Sequence, residues 1–416
     1  MERGPGHRGG AQTNNIDADR PPRAPSTRDE AEFVELDVAR AMMLAHVRPL
    51  DPSERDLVRA RGCRLAVDVR APIPLPPFDN AAMDGYAVRL ILERGSARWV
   101  PRSDAWPIST GMPVPPGARA VVPSERVREQ GDRLVFDGDV RPGDHIRPAG
   151  EELAKGRLGL AAGSRLTPAA IGLLSALGLV AAVVVPRPRV AILVTGDEVQ
   201  GAGRPLTPGH VYDANGPLLQ ALVEEAGGEV VAFERLPDDP VRIGGRLAEL
   251  APCADLVCTS GGASLGARDH LIGRLRELGT LPIHQLAIKP GRPTSMGWIG
   301  GTPIVVLPGN PLASLVGFEA LVRPALRRLA GDADPLRPRS SAIARAPIAH
   351  RQGRLELVPV RKVGDGTVAE VEAVTERGSA MLSGAAIAGG LALLGAERGA
   401  MAPGDAVSVE WWGPTS

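Results

Sequence analysis

The chain has few aromatic residues and few cysteines for its 416 residues. Phe, Trp and Tyr make up 3% of it, whereas apolar residues reach 44%, so its cores must be built from Leu, Val and Ala. Three cysteines, Cys63, Cys253 and Cys258, exclude a disulfide framework, and no zinc-site spacing surrounds them. Cys258 lies in an apolar run, which predicts a core thiol.

The sequence also lacks an excess of either charge and any long apolar run. Lys and Arg number 48, as do Asp and Glu, so the net charge is zero and gives no electrostatic reason to expect nucleic acid or an anionic membrane as a partner. No stretch approaches the roughly 20 apolar residues of a membrane span, and residues 1–26 lack the apolar core of a signal peptide. We therefore expect a soluble, cytoplasmic protein with a disordered tail over residues 1–26.

The first half of the chain alternates between helical and β-rich patterns. A capping-box pattern from Thr27 to Glu30, followed by apolar residues at helical spacing (Val34, Val38 and Met42), predicts a first helix within residues 33–47. Short β-rich runs separated by Pro and Gly turns then predict a mostly-β domain. A second helix is expected over residues 166–179, with Thr167 as its N-cap and Pro168 at its first position. The β-rich block is therefore inserted between two helical segments.

From residue 187 the pattern is typical of an α/β domain. Apolar runs predict strands at 190–194, 229–233, 256–260, 283–288 and 304–307, and helices at 217–226, 241–250, 269–278 and 312–329. Such alternation indicates a parallel sheet covered by helices on both faces. After Gly331 only strand-like runs separated by glycine remain, which predicts a small C-terminal β-barrel or sandwich.

Acidic residues follow three of the predicted strands. Asp197 and Glu198 follow the first strand, Asp238 and Asp239 the second, and Asp269 the third. Because the loops after parallel strands gather at one edge of the sheet, these acids can converge on one point. Two or three carboxylates suffice for Mg²⁺, which keeps several of its waters. Helix capping is the alternative for each aspartate that precedes a helix, but the set as a whole favours a functional site.

The loop after the third strand has the glycine- and serine-rich composition of an anion-binding loop. It reads TSGGASLG, and Gly261 and Gly262 would let backbone N–H groups approach a phosphate, with the hydroxyls of Ser260 and Ser264 as further donors. A simple turn is the alternative.

Two further turns follow predicted strands. Lys289 and Arg292 would place two cations at the same edge, suited to phosphate or an oxyanion, unless they are ordinary surface charges. Pro308 and Pro311 constrain the next turn, as a rigid wall of the site or as a helix entry.

The β-rich block carries its own acids. Asp79 and Asp84 lie in PFDNAAMDGYAV, where they form either part of a site or a pair of structural Asx-turns. A further acidic pair stands at Glu151 and Glu152.

Seven motifs in order resemble those of the MoeA family, the molybdopterin molybdenumtransferases. They are PFDNAAMDGYAV, TGMPVPPGARAVVP, TGDE, VYDAN, SGGASLGARD, KPGRP and LPGNP, and the resemblance covers about residues 30–412. It implies a multidomain α/β plus β fold and a homodimer. The implied parts are a linker domain from residues 27–50 and 148–186, an inserted β-rich domain at 51–147, a MogA-like parallel-sheet α/β domain at 187–333 and a C-terminal β-barrel domain at 334–416.

The resemblance also implies a reaction: Mg²⁺-dependent insertion of molybdate into adenylylated molybdopterin, with release of AMP. The implied catalytic residues are Asp84, Thr110, Glu198, Asp238, Asp269 and Lys289. The implied Mg²⁺ ligands are Glu198, Asp269, Asp84 and Glu152, and the implied molybdopterin contacts are Ser260, Gly261, Gly262, Ser264, Arg292, Pro308 and Pro311. An adenylyltransferase and molybdoenzyme apoproteins are the further partners it suggests.

The chain departs from the family pattern at a few positions. Glu152 replaces a usual aspartate, Gln285 replaces a frequent lysine and Arg292 replaces a common lysine, so the predicted cationic rim is changed. A non-catalytic molybdopterin-binding or delivery protein, such as a divergent paralogue, is therefore the alternative function. An adenylyltransferase is disfavoured because that enzyme resembles the α/β block alone.

Overall fold

The computed structural model describes residues 33–90, 97–262, 270–364, 366, 368–374 and 381–413. The predicted tail at 1–26, the capping pattern at 27–30, and the site residues Ser264 and Asp269 lie outside these ranges.

A six-stranded sheet forms the centre of the α/β domain. Its order is Glu229–Leu236, Arg189–Thr195, Leu256–Ser260, Thr302–Leu307, Ser295–Ile299 and Thr280–Ile283. The first four strands are parallel and the last two are antiparallel to their neighbours. The predicted parallel sheet is therefore confirmed at its centre, which positions the loops described below.

Helices cover both faces of this sheet because its strands are apolar on both sides. Along Arg189–Thr195, Val190, Ile192 and Val194 join one core and Ala191 and Leu193 join another, as the two-residue period of a strand requires. The helices are Asn215–Glu225, Pro240–Leu250, His270–Leu278, Pro311–Gly317 and Arg323–Leu329, with a π-helical segment at Phe318–Val322 and a 3₁₀ turn at Ala251–Cys253.

The edge of the sheet differs from the prediction. The run at 283–288 is not a parallel strand: Thr280–Ile283 ends there, and the chain returns as Ser295–Ile299, which no strand prediction covered. Ile288–Lys289 pairs instead with Leu355–Val363 of the C-terminal domain. A short apolar run does not reveal its partner strand, which is why the sequence pattern misassigned it.

The first helix spans Leu36–His46 and packs on the α/β core. Its buried face consists of Leu36, Ala39, Arg40 and Met43. Of the apolar residues used to predict it, Val34 precedes the helix and packs against this core, whereas Val38 is 50% exposed and Met42 is 36% exposed. The helix was therefore predicted correctly, but its buried face was not.

Two segments of the chain form a small mixed unit. Ser53–Asp56 and Arg64–Leu65 pair with Ala181–Val185, and Val69–Arg70 pairs with Leu158–Leu160. The helix Pro168–Ala176 packs in this unit, and Thr167 Oγ caps it by accepting the Ala170 N–H at 3.2 Å. Residues 53–70 therefore pair with the second segment, which differs from the predicted domain boundary at residue 51.

The inserted β-rich part is built from short antiparallel sheets. Gly85–Val88 lies between Ala105–Ile108 and Ala120–Pro123, Arg133–Val140 lies between Ala97–Pro101 and Val127–Gln130, and Asn80–Ala81 pairs with Ile146–Arg147. 3₁₀ turns occur at Arg102–Asp104 and Ser124–Arg126.

The C-terminal domain is a closed five-stranded barrel, as predicted. The ring runs Leu355–Val363, Glu370–Ala373, Arg339–Ala344, Ala406–Trp411 and Gly390–Leu394, and closes on Leu355–Val363. A short helix, Leu382–Ala385, accompanies it. The strand Arg339–Ala344 was not predicted, because polar residues dominate its start.

Within the described ranges, no helix is both long and apolar enough to cross a membrane. All three cysteines are free thiols, and Cys258 is fully buried, so burial raises the pKa of its thiol. The predicted core thiol is confirmed.

A buried ion pair joins the first helix to the barrel. Both guanidinium arms of Arg40 donate to the two carboxylate oxygens of Glu410, at 2.8 and 3.1 Å, and Arg40 Nε donates to Ala320 O at 3.1 Å. Arg339 adds a second cation to Glu410 at 2.8 Å. Burial pushes the pKa of Glu410 upward, but the hydrogen bonds and charges of the two arginines outweigh it, so this pKa lies below its ordinary value.

We expect Glu410→Gln to lower the free energy of unfolding by about 3–5 kcal/mol, because it leaves the guanidinium of Arg40 buried without a counter-charge. Denaturant unfolding at neutral pH measures this. Because the pKa of Glu410 is lowered by folding, its contribution is present above its unfolded pKa and disappears as pH falls through the folded value. The double variant Arg40→Leu/Glu410→Leu is the control, and a loss as large as that of the single variant would contradict the explanation.

Candidate functional site

A cavity of about 710 Å³ opens at the carboxyl ends of the parallel strands. Its walls come from the loops after four strands and from the turn that precedes the helix Asn215–Glu225. The lining residues are Val194, Thr195, Gly196, Glu198, Val199, Val211, Tyr212, Asp213, Ala214, Asn215, Asp238, Ser260, Gly261, Gly262, Pro293, Pro308, Gly309, Asn310 and Pro311. The edge of the sheet where the loops were predicted to gather is therefore the edge that holds a cavity.

Three carboxylates lie close together on one side of this cavity. Glu198 and Asp238 line it, and the Asp238 N–H donates to Asp197 Oδ1 at 3.0 Å. The pKa of Asp238 is raised, first by burial and then by the negative charges of Asp197 and Glu198. A backbone hydrogen bond from Asp197 and the nearby His270 oppose this shift. Carboxylates that repel one another in this way are suited to a cation.

The neighbouring Asp239 caps a helix, which is the alternative role that the sequence analysis left open for it. Its Oδ1 accepts the N–H groups of Val241 and Arg242, at 2.8 and 3.2 Å, and so caps the helix Pro240–Leu250. Of the two adjacent aspartates, Asp238 faces the cavity and Asp239 serves the helix.

The acids do not form a complete metal site by themselves. Among the described residues, no three His, Cys, Asp or Glu side chains are arranged to hold a metal ion. The donor set nevertheless suits Mg²⁺, which is a hard cation commonly held by one or two carboxylates together with waters and substrate phosphates. Glu198 and Asp238 are the residues that line the cavity and could take part.

The glycine-rich loop approaches the neighbouring strand closely. Gly261 has φ +97°, and a Cβ there would lie 2.3 Å from Thr195 O, so only glycine fits. Ser260 is 1% exposed and its hydroxyl donates to Pro308 O at 3.3 Å. Ser260, Gly261 and Gly262 thus lie where the sequence placed them, and the rest of this loop, with Ser264 and Asp269, falls outside the described residues.

An asparagine that was not assigned to the site connects two of its loops. Asn215 Nδ2 donates to Ser260 Oγ and to Gly309 O, each at 2.7 Å. Its neighbour Asp213 accepts the Gly216 N–H at 2.7 Å and the Arg235 Nε–H at 2.6 Å, which fixes the start of this helix. Both residues belong to the VYDAN motif, which marked this segment in the sequence. No spacing rule, however, predicts which loops the motif contacts.

The predicted cations do not line this cavity. Lys289 Nζ pairs with Glu356 Oε1 of the barrel at 2.9 Å, and the guanidinium of Arg292 lies 5.6 Å from the ring centre of Phe33. Arg354 faces the same ring at 5.3 Å. Gln285, also assigned to the rim, is only 3% exposed. Lys289 lies at the barrel because its strand, Ile288–Lys289, pairs with the barrel rather than with the α/β sheet.

The site residues predicted in the β-rich block form a separate pair. Asp84 Oδ1 accepts the Thr110 N–H at 2.7 Å and the Thr110 hydroxyl at 3.1 Å. These hydrogen bonds, the backbone one first, lower the pKa of Asp84. Asp79 accepts the Ala149 N–H at 2.8 Å, a tertiary hydrogen bond across 70 residues rather than the local Asx-turn expected as its alternative, and Glu152 is exposed. None of these residues lines the cavity.

Comparison with known proteins identifies the family over almost the whole chain. Residues 34–178 match the model of the MoeA N-terminal region, domains I and II. Residues 191–328 match a probable molybdopterin binding domain, and residues 341–412 match the MoeA C-terminal region, domain IV. The chain belongs to the MoeA family.

Relatives and solved structures agree with this membership. Molybdopterin molybdenumtransferase 2 of Mycobacterium tuberculosis is 40% identical over 334 residues, which cover 74% of this chain and 82% of that protein. The molybdopterin molybdenumtransferase of Haemophilus influenzae is 34% identical over 394 residues, which cover 90% and 98%. The crystal structure of a MoeA protein from a Pyrococcus species matches 92% of this chain and 100% of its own, with TM-score 0.74 and 29% identity.

Within this MoeA-family fold, Asp238→Asn should leave the melting temperature unchanged or slightly raised. The charge it removes is disfavoured by burial and by Asp197 and Glu198. Because the pKa of Asp238 is raised by folding, the wild-type protein loses stability as pH rises through the pKa of Asp238 in the folded state. Any stability that Asp238→Asn gains over the wild type should therefore appear above that pKa and vanish at lower pH. Thermal unfolding over a pH series measures this. Asp239→Asn, which keeps a good N-cap, is the matched control. A clear loss of stability in Asp238→Asn would show that Asp238 has a structural role.

Thr110→Val should raise the pKa of Asp84 while leaving it below its ordinary value, because the variant loses the hydroxyl donor but keeps the stronger backbone N–H. Titration of the Asp84 carboxyl by NMR measures the shift. Thr110→Ser is the control, since it retains the hydroxyl. An unchanged pKa in Thr110→Val would mean that the side-chain hydrogen bond does not form in solution.

Proposed function

We propose that this MoeA-family protein is a molybdopterin molybdenumtransferase that inserts molybdate into adenylylated molybdopterin and releases AMP in an Mg²⁺-dependent reaction. Family membership gives the chain a role in molybdenum cofactor biosynthesis. The observation that supports the specific reaction is the joining of two features in one cavity: repelling carboxylates at Glu198 and Asp238, and a glycine turn at Gly261 and Gly262.

The acidic side of the cavity would hold Mg²⁺ together with the phosphates of the ligand. The raised pKa of Asp238 means that a cation gains by neutralising the charges of Asp197, Asp238 and Glu198. When bound, Mg²⁺ would neutralise the phosphate charge and orient the phosphate bridge for attack. Asp269, which follows the third strand in the sequence, lies outside the described residues, and its part in this set remains a prediction.

The part of the cavity lined by the glycine loop and by the turn from Pro308 to Pro311 would bind the pterin and its phosphate. The Gly261 N–H is bonded to Leu307 O at 3.2 Å, which ties this loop to the fourth strand, and the two prolines of the Pro308–Pro311 turn limit the movement of the wall. Ser260 is held in place by its hydrogen bonds to Asn215 and Pro308. A wall fixed before binding loses little conformational freedom when the ligand enters, which favours affinity.

The remaining predicted residues would act from outside this wall. We propose a homodimer in which Asp84 and Thr110 of one subunit complete the site of the other, because neither lines the cavity of its own chain. The hydrogen bonds from Thr110 keep Asp84 ionised and oriented. Such a carboxylate would serve as a further ligand or as an orienting group for the reacting oxyanion.

The direct test is release of AMP from adenylylated molybdopterin by the purified full chain with Mg²⁺ and molybdate. We expect AMP only when both are present, and a loss of about 100-fold or more in turnover for Asp238→Asn. Asp239→Asn makes the same substitution at the adjacent aspartate. It should retain near wild-type turnover because Asp239 caps a helix.

One observation favours the alternative of a non-catalytic molybdopterin-binding protein. The cations expected at the cavity contact the barrel and Phe33 instead. Binding of the adenylylated ligand without AMP release under any combination of Mg²⁺ and molybdate would contradict the transferase proposal and support this alternative.

A further inference from the structure

A second cavity lies at the amino ends of the parallel strands, opposite the edge that holds the first. Its volume is about 690 Å³, within the range of roughly 300–1,000 Å³ that is typical of small-molecule sites. Arg189 and Glu229, which line it, are the first residues of two neighbouring parallel strands, and Asp255 directly precedes a third. No described residue lines both cavities. The second cavity is therefore separate from the candidate functional site.

This second cavity lies where two separately packed parts of the chain meet. Leu50, on one wall, packs against the core of the α/β domain, whereas Cys63 belongs to the core of the small mixed unit. Arg187 lies in the connection between Ala181–Val185 of that unit and the central strand Arg189–Thr195. A ligand in the cavity would thus contact both parts at once.

Three of the arginines that line the second cavity have no carboxylate partner among the residues that the structure describes. The fourth, Arg189, pairs with Asp255 at 3.1 Å. Arg55 Nε donates to Ser53 Oγ at 3.3 Å, which leaves its charge uncompensated. The guanidinium of Arg59 has no partner at all in the described part of the chain. Both Arg55 and Arg59 are exposed, so an incoming ligand can reach them.

The third of these arginines, Arg187, is held in place by backbone carbonyls. It donates through Nε to Gly227 O at 3.3 Å and through Nη2 to Gly228 O, just beyond the end of the helix Asn215–Glu225. These carbonyls orient the guanidinium without neutralising its full charge. Among the described residues Nη1 has no partner, so this nitrogen can still donate to a ligand. A side chain oriented before binding loses little conformational freedom when the ligand enters.

The charges of Arg55 and Arg187 come together at Cys63. This thiol lines the cavity and is 6% exposed, and its burial raises its pKa. The charges of Arg187 and Arg55, and a hydrogen bond from the Arg187 backbone, act in the opposite direction on the same pKa. Two guanidinium groups from different parts of the chain therefore lie near one point of the cavity.

The chemistry of these groups favours a phosphate as their partner. Guanidinium groups donate paired hydrogen bonds to anionic oxygens and keep their charge at any physiological pH. A planar carboxylate matches one such fork, whereas the oxygens of a tetrahedral phosphate point in several directions and can meet donors from three segments. Asp255 and Glu229 act on the charge of Arg189 and so leave the other three cations in excess. Asp51, which also lines the cavity, opposes an anion and limits its affinity.

We propose that the second cavity binds the phosphate group of a small molecule, which is held by the guanidinium groups of Arg55, Arg59 and Arg187. The inference does not depend on the proposed function, because it uses none of the carboxylates or loops of the first cavity. A ligand bound here joins the small mixed unit to the α/β domain and, because it binds only the folded chain, raises the melting temperature.

The test measures binding of inorganic phosphate and of malonate to the full chain by calorimetry, at low ionic strength so that screening is small. The two anions carry similar charge near neutral pH but differ in shape. We expect phosphate to bind about tenfold more tightly than malonate, because a further guanidinium can donate to it. Phosphate should also raise the melting temperature more than malonate does at equal concentration.

Variants of the arginines locate the site. We expect phosphate affinity to fall about threefold in Arg59→Gln and about tenfold in Arg55→Gln/Arg59→Gln, since each change removes one exposed charge. Arg61→Gln is the matched control for Arg59→Gln: Arg61 is exposed and lies in the same turn, but it does not line the cavity, so phosphate affinity should stay at the wild-type value. Asp51→Asn should act in the opposite direction and tighten phosphate binding.

The melting temperature without phosphate checks that the variants fold, and Arg59→Gln alone carries the comparison with Arg61→Gln if the double variant does not. Any of four results would overturn the inference. The wild-type protein may show no phosphate binding, or the arginine variants may bind phosphate as the wild type does. A loss in Arg61→Gln as large as that in Arg59→Gln would show a general effect of surface charge. Equal binding of malonate and phosphate would reject phosphate as the ligand class.

Discussion

The central strand Arg189–Thr195 is buried on both faces, and the rest of the α/β domain depends on this burial. Val190 and Ile192 require cover on one side and Ala191 and Leu193 on the other, so helices must pack on both faces of the sheet. With both faces covered, the connecting loops can only emerge at the two ends of the strands. The carboxyl end is thereby left as the place where loops from four strands meet around a cavity.

Charge is arranged in opposite ways in the core and in the cavity. Between the first helix and the barrel, the buried Glu410 has two arginines, Arg40 and Arg339, and its pKa is lowered. At the cavity, Asp238 has two acidic neighbours and its pKa is raised. The first arrangement is satisfied within the folded chain. The second leaves like charges beside one another, which is typical of a functional site rather than of a stabilising one.

The sequence predicted those features that depend on local pattern. The alternation of strands and helices, the N-cap at Thr167 and the loops at Ser260 and Pro308 could be read from periodicity and turn residues. What failed depends on long-range pairing. The run at 283–288 was misassigned because Ile288–Lys289 joins a strand more than sixty residues later, beside which Lys289 pairs with Glu356. Asn215 was missed for the same reason, because its value lies in contacts with loops far along the chain. The resemblance of the VYDAN motif to the family drew attention to this segment but did not show which contacts Asn215 makes.

The side chain of Lys289 is held at the barrel by a single exposed ion pair with Glu356. Its partner Glu356 also lies 2.8 Å from His350 Nδ1, so that carboxylate keeps a contact if the lysine leaves. Lys289 itself is 59% exposed, and ion pairs of exposed lysines contribute only about 0–1 kcal/mol. The pairing of Ile288–Lys289 with Leu355–Val363 therefore fixes the backbone of Lys289 at the barrel, whereas its ammonium group is held there only weakly.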